Sequence, residues 1–386
     1  MRFKPSTRPL QDCNIVSKET AVLQHFFLIV NRKSQIVSGN FTTQHSTLIT
    51  YNSLTHSLMF NILTIDIEDY FQVHALSSVI KYEDWDKFEC RIERNTDRIL
   101  EILDSVRSPQ KVQGTFFVLG WIAERYPDLV RRIQKGGHEI ACHGYAHKLI
   151  YDQSKEEFRN DIKKAKAIIE DITGSEVIGY RAPNYSITNK SQWAFEILAE
   201  EGFKYDSSIF PIRHDFYGMP NAPRFPFIIS LNGNNNFEFS VLDFEEQQHR
   251  TTSAPNNLLT HSLINSVGNS TLKTHNSNSL IEFPISTVRI LGQNIPISGG
   301  GYFRLFPYPL IKKGLKRINE VEQKPFIFYM HPWEIDPDQP RINGLSSRSK
   351  FRHYVNLNKT ENKFKRLLGD FQFSTVRDLI ENRIAA

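Results

Sequence analysis

Short apolar runs alternate with stretches in which apolar residues return every three or four positions, a pattern that predicts strands alternating with helices. Phe60 to Ile65 reads as the first strand. Arg91 to Val106 follows as a helix, with Ile92, Thr96, Ile99, Leu103 and Val106 on one stripe. Gly114 to Leu119 is a second strand, and Pro127 opens a helix that stops before Gly136 and Gly137. Glu139 to Cys142 is a third strand. Ser154 and Glu157 form a capping box for a helix through Phe158, Ile162, Ala165, Ile169 and Ile172, ended by Gly174. Glu176 to Tyr180 is a fourth strand, and Thr188 caps a helix carrying Trp193, Ile197 and Leu198, closed by Gly202. Phe326 to Met330 and Phe371 to Val376 are later strands, the last leading into a final helix. Such alternation implies an α/β fold, with parallel strands joined by right-handed crossovers in an open sheet or a barrel.

Two stretches break the pattern. Residues 1–58 are rich in Ser, Thr, Asn and Gln and carry no sustained period, so they read as an N-terminal extension, either a disordered tail or a segment upstream of a natural start at Met59. Residues 59–386 then form one domain. Within it, about 231–280 is dominated by Asn, Ser, Thr and His and reads as a surface insertion. Its histidines, His249, His261 and His275, read as solvated side chains.

Composition narrows the class. A chain of 386 residues with 40% hydrophobic and 12% aromatic residues can fill a substantial core. The net charge of +5 comes without clustered Lys and Arg, so no nucleic-acid footprint is present. Cys13, Cys90 and Cys142 make neither a disulfide framework nor a Cys-x-x-Cys pair, which suits a reducing compartment. No apolar run is long enough to span a membrane and no small-residue cleavage site follows Phe26 to Val30, so a cytoplasmic location is expected.

Polar residues cluster where strands end. Asp66, His143, Arg181 and His331 each lie just beyond a predicted strand, the edge that carries the active site in a barrel. His143 and His147 are four residues apart. On a helix they would rise by only ~6 Å, close enough to share one metal ion. The acids of Asp66-Ile67-Glu68-Asp69 are the best source of a third ligand.

With these segments in order, residues 59 to 386 outside the insertion resemble the polysaccharide deacetylase family, the NodB-homology or carbohydrate esterase 4 group. The resemblance is closest to the exopolysaccharide-associated branch that carries a His-Pro-Trp-Glu motif, here His331 to Glu334. It implies a distorted, incomplete (β/α) barrel and a divalent metal, zinc by preference. It assigns Asp66 as general base and Asp69 as metal ligand, with Glu68 as the rival ligand because the acids are spaced Asp-x-Glu-Asp rather than adjacent. His143 and His147 would be the other ligands. Arg181 would orient Asp66, and Tyr185 would form a substrate wall and offer a backbone N–H to the oxyanion. Asp206 would tune His331, the general acid, and Trp333 would stack on a sugar ring or pack in the core. The implied reaction removes N-acetyl groups from an amino-sugar polymer or its precursor.

Two other readings compete. A cytoplasmic metal amidase of the same fold would act on a small non-sugar amide. A catalytically silent carbohydrate-binding protein would not need the acid, histidine and arginine set. The sequence is silent on oligomeric state.

Overall fold

The structure is a computed structural model that describes residues 59–381 apart from 107, 109–110, 215, 232–236 and 243–278. The expected extension 1–58 and most of the expected insertion, His249, His261 and His275 included, lie outside the described residues.

Strands β1 (Phe60–Ile67), β2 (Thr115–Val118), β3 (Glu139–Cys142), β4 (Gly179–Tyr180) and β5 (Tyr205–Asp206) run parallel in one sheet. Then come β6 (Phe227–Leu231), β7 (Phe237–Val241) and β8 (Ser279–Glu282), and a separate hairpin of β9 (Thr287–Ile290) and β10 (Gln293–Pro296). Strands β11 (Ile327–Met330) and β12 (Gln372–Ser374) both return to pair in parallel with β1. The order in the ten-stranded sheet is β11-β1-β2-β3-β4-β5-β8-β6-β7, with β12 against the start of β1. This is the mixed α/β fold with a parallel sheet that the alternation predicts. Among the described residues β11 and β7, the ends of that order, do not pair with each other.

Local signals explain the elements. The Ser154 hydroxyl accepts from the Glu157 N–H and the Glu157 carboxylate accepts from the Ser154 N–H, starting the helix Lys155–Thr173, which Gly174 ends in a left-handed conformation at φ 61°. Strand alternation divides the core. Leu63, Ile65 and Ile67 face the outer cluster with Ile99, Leu103 and Ile162 from the helices. Ile62, Phe117, Ala141, Tyr205 and Tyr329 face a separate inner cluster.

Three expectations are corrected. The helix expected from Thr188 spans only Ala194–Glu200, because the Ser191 hydroxyl accepts from the Thr188 N–H and donates to Ser186 O, folding a turn instead. The strand expected from Glu176 is only Gly179–Tyr180. Part of the expected insertion is strand, since Phe237–Val241 pairs antiparallel with Phe227–Leu231. Among the described residues no helix is long and apolar enough to cross a membrane.

Candidate active site

Strand β1 delivers the acids. Successive side chains on a strand alternate, so Asp66 follows Ile62 and Thr64 toward the inner face. The same two-residue step carries Glu68, just past the strand end, to the same side. The carboxylate of Glu68 lies with the imidazoles of His143 and His147, one ligand atom from each falling within 4.8 Å of the others. Asp69, the ligand preferred from the sequence, is placed elsewhere. Its oxygens accept from the backbone N–H groups of Tyr70 (2.7 Å) and Arg91. Burial raises its pKa to about 6 despite those two donors. Asp69 ties the loop after β1 to the start of the helix Ile92–Ser105, and the rival acid Glu68 stands with the histidines.

The histidines converge through a loop, not through the helical turn considered from their spacing. Residues 143–147 turn back on left-handed backbone at Gly144 (φ 73°) and His147 (φ 53°). A Cβ at Gly144 would lie 2.8 Å from Asp161 Oδ2, so a larger residue would crowd that carboxylate. Asp161 Oδ2 accepts from the Tyr145 N–H at 2.7 Å and holds the turn. Arg181 O lies 2.8 Å from His143 Nδ1. A carbonyl only accepts, so Nδ1 carries the proton and Nε2 presents its lone pair. Burial holds His143 largely neutral, with its pKa lowered to about 4.

A divalent cation fits these residues. Glu68 Oε2 lies 2.6 Å from His147 Nε2 yet receives no aligned hydrogen bond. Two ligand atoms that face each other so closely suit a common ion. One carboxylate and two imidazoles also form a borderline-hard donor set of the kind zinc takes. Burial opposes the charge on Glu68, but His147, His331 and His143 overcome it and hold the pKa at about 2.

Asp66 is 2% exposed and clamped by Arg181, whose Nη1 donates to Asp66 Oδ1 at 2.7 Å and to Thr64 Oγ1 at 2.8 Å. The rest of the guanidinium donates to Ser207 O (3.0 Å) and Ser207 Oγ (2.7 Å), and it lies 4.2 Å from the Phe117 ring centroid. Every side of Arg181 is therefore engaged, and Asp66 Oδ2 is left facing the rim. Asn184 and Tyr185 follow on consecutive left-handed residues (φ 52° and 53°), a strained backbone of the kind kept at functional sites. Tyr185 itself is buried against Phe210, Tyr217 and Tyr329. Its N–H donates to Ala182 O, so neither the wall nor the oxyanion donor expected of it is free in this conformation.

On the far side of Asp66 stands His331. Its Nε2 lies 3.8 Å from Asp66 Oδ2 and 3.3 Å from Glu68 Oε1. Its Nδ1 lies 2.6 Å from Glu334 Oε1. Burial disfavours the imidazolium, but Glu68, Glu334 and Asp66 outweigh it and raise the pKa to about 9. The residue expected to tune His331, Asp206, is engaged elsewhere. Asp206 Oδ1 accepts from Ser208 Oγ at 2.5 Å, and Asp206 pairs across β5 and β8 with Glu282. Burial pushes both carboxyls upward, and Asp206 pushes Glu282 further. His331 stacks on the Trp333 indole at 5.4 Å and His353 at 4.5 Å, and the side chain is buried.

The sequence names Glu334 only as the end of a motif, without a role, and does not single out Glu282. Glu334 was readable as the third residue after His331 in a turn opened by proline, the spacing of a capping box. Glu282 had only the short run Leu280-Ile281 to announce its strand.

Comparison with known proteins matches two regions. The polysaccharide deacetylase family model matches residues 79–205, and a domain of unknown function (DUF3473) matches residues 261–381. The first match contains His143, His147 and Arg181, and the second contains Glu282, His331 and Glu334. A peptidoglycan deacetylase-like protein of Gibberella zeae is 34% identical over 29% of this chain and 32% of its own length. A peptidoglycan-N-acetylglucosamine deacetylase of Bacillus cereus is 36% identical over 25% of this chain and 35% of its own length. The matched part thus spans about a third of these curated relatives. A solved structure from Mycobacterium smegmatis, described as a polysaccharide deacetylase, aligns over 84% of this chain and 89% of its own, at 18% identity and a TM-score of 0.46. Residues 79–205 are thus similar to the polysaccharide deacetylase family.

Proposed function

We propose that the protein is a metal-dependent hydrolase that removes N-acetyl groups from an amino-sugar polymer or its precursor. The observation that carries this reading is the convergence of Glu68, His143 and His147 beside Asp66 and His331. The names of the relatives support an N-acetylated glycan as the substrate class. The His331-Pro332-Trp333-Glu334 sequence supports the exopolysaccharide-associated branch.

Glu68, His143 and His147 would hold the cation, zinc by preference. When bound, it would polarise the acetamide carbonyl and acidify a water molecule. Arg181 holds Asp66 at Oδ1 and leaves Oδ2 toward the rim, where it takes a proton from the attacking water. His331 Nε2, facing the same space, gives a proton to the departing amine. Acetate and a free amino sugar result.

The test is elemental analysis of the purified protein together with acetate release from N-acetylglucosamine oligomers. His143→Ala is expected to lose bound metal and acetate release together. A metal-replete, fully active His143→Ala protein would contradict the reading.

A further inference from the structure

The region matched by the domain of unknown function contributes more to the rim than His331 alone. Glu334 is 1% exposed and Arg304 3%. Arg304 Nε donates to Glu334 Oε2 at 2.7 Å. The other arm donates to backbone carbonyls, Nη1 to His353 O at 2.6 Å and Nη2 to Arg352 O at 3.0 Å. Glu334 Oε1 meets His331 at two points, its N–H (3.1 Å) and Nδ1 (2.6 Å). Behind the imidazole, Trp333 is sandwiched between His331 and His353. A buried ion pair is weak evidence for stability, because well-packed apolar groups of the same volume do as well. This pair ends on a reactive imidazole.

We propose that Arg304 and Glu334 are positioning residues that set the tautomer and aim of His331, so that the region of unknown function supplies the proton-donating half of the site. This rests on the deacetylase reading above. Glu334, held ionised by Arg304, only accepts hydrogen bonds, so His331 Nδ1 must keep its proton. Nε2 is then the nitrogen that exchanges a proton with substrate. As the C–N bond breaks, its electron pair goes to nitrogen and the Nε2 proton follows. Neutral imidazole remains, with Nδ1–H still on Glu334. Stacking on Trp333 keeps the ring from turning away. Asp206, bound to Ser208 and beside Glu282, takes no part in this contact.

A plain turn-capping role for Glu334 makes a different prediction, and leaving groups separate the two. An amine must be protonated to depart, whereas the phenolate of 4-nitrophenyl acetate leaves unprotonated. Glu334→Gln and Arg304→Lys are compared in the full-length protein with an N-acetylglucosamine oligomer and with this ester. Acetamide kcat is expected to fall about 10- to 100-fold with KM unchanged, the scale at which partners behind a working histidine act, while the ester turnover shifts only about threefold. Equal losses on both substrates, or a change in KM alone, would overturn the proposal and leave Glu334 a turn cap. Arg304→Lys keeps the comparison available if Glu334→Gln does not fold. Wild-type protein that releases acetate from neither substrate would overturn the deacetylase reading, and this proposal with it.

Discussion

Asp66 and His331 face one another across the rim, and each is held from behind by a buried charge of opposite sign. Arg181 grips Asp66 at Oδ1 and leaves Oδ2 facing His331, while Glu334 grips His331 at Nδ1 and leaves Nε2 facing Asp66 and Glu68. The supports differ in origin. Arg181 ends the neighbourhood of β4 and is braced by Ser207 beyond β5, within the parallel core of the sheet. Glu334 lies three residues from the group it supports and is braced by Arg304 from the later part of the chain. One reactive group is thus fixed by sheet topology and the other by a local turn with a distant brace. Charges of opposite sign thus stand behind the two partners, Arg181 behind Asp66 and Glu334 behind His331.

Breaking the Asp66 side should have the largest effect. Asp66→Asn is expected to keep bound metal and to lose about 10²–10⁴-fold in turnover, the range for removal of a positioned base. Metal analysis beside acetate release checks it, and a fully active variant would refute the assignment. Arg181→Lys keeps the charge but loses the fork that reaches Thr64, Asp66 and Ser207 together, so turnover should fall about 10- to 100-fold with metal content unchanged.

Adjacent acids sharpen the contrast between support and chemistry. Asp69→Asn should leave the metal in place and cost about 1–3 kcal/mol of stability, since it disturbs two backbone donors at a buried carboxylate. Denaturant unfolding measures it, and loss of metal without loss of stability would return the ligand role to Asp69.

The smallest effect lies away from the rim. His138 is held neutral by burial, with its pKa lowered to about 4, and its Nδ1 accepts from the Gly114 N–H at 3.2 Å. The unfolded chain takes up this proton near its ordinary value of 6.5 and the folded chain only near 4. The histidine's share of stability is therefore complete above pH 6.5 and is lost as pH falls toward 4. His138→Gln should flatten that part of the stability profile. An unchanged slope would contradict the neutral assignment.

Much of the site was legible because strand ends are loud in sequence. Asp66, His143, Arg181 and His331 each follow an apolar run, and parallel strands bring such ends to one edge. Choosing between Glu68 and Asp69 needed the strand to run on to Ile67, after which a two-residue step selects Glu68. The loop geometry at His147 and Tyr185 was not legible, because left-handed backbone there carries no glycine to announce it. The later helices left a readable trace. Ile311, Leu315 and Ile318 recur at helical spacing and are buried in Tyr308–Glu320, a helix the sequence reading passed over. Burial of Glu334 and Glu282 left no trace, since a charged residue in a short motif gives no sign of the cation or carboxyl it will meet.

The convergence of Glu68, His143 and His147 on one cation is the claim on which the rest depends. X-ray absorption at the metal edge of zinc-loaded protein tests it most directly. The account predicts two imidazole nitrogens and one carboxylate oxygen at about 2.0–2.2 Å, with the carboxylate contribution lost in Glu68→Gln and retained in Asp69→Asn. A zinc site without imidazole ligands, or one unaltered by Glu68→Gln, would contradict it.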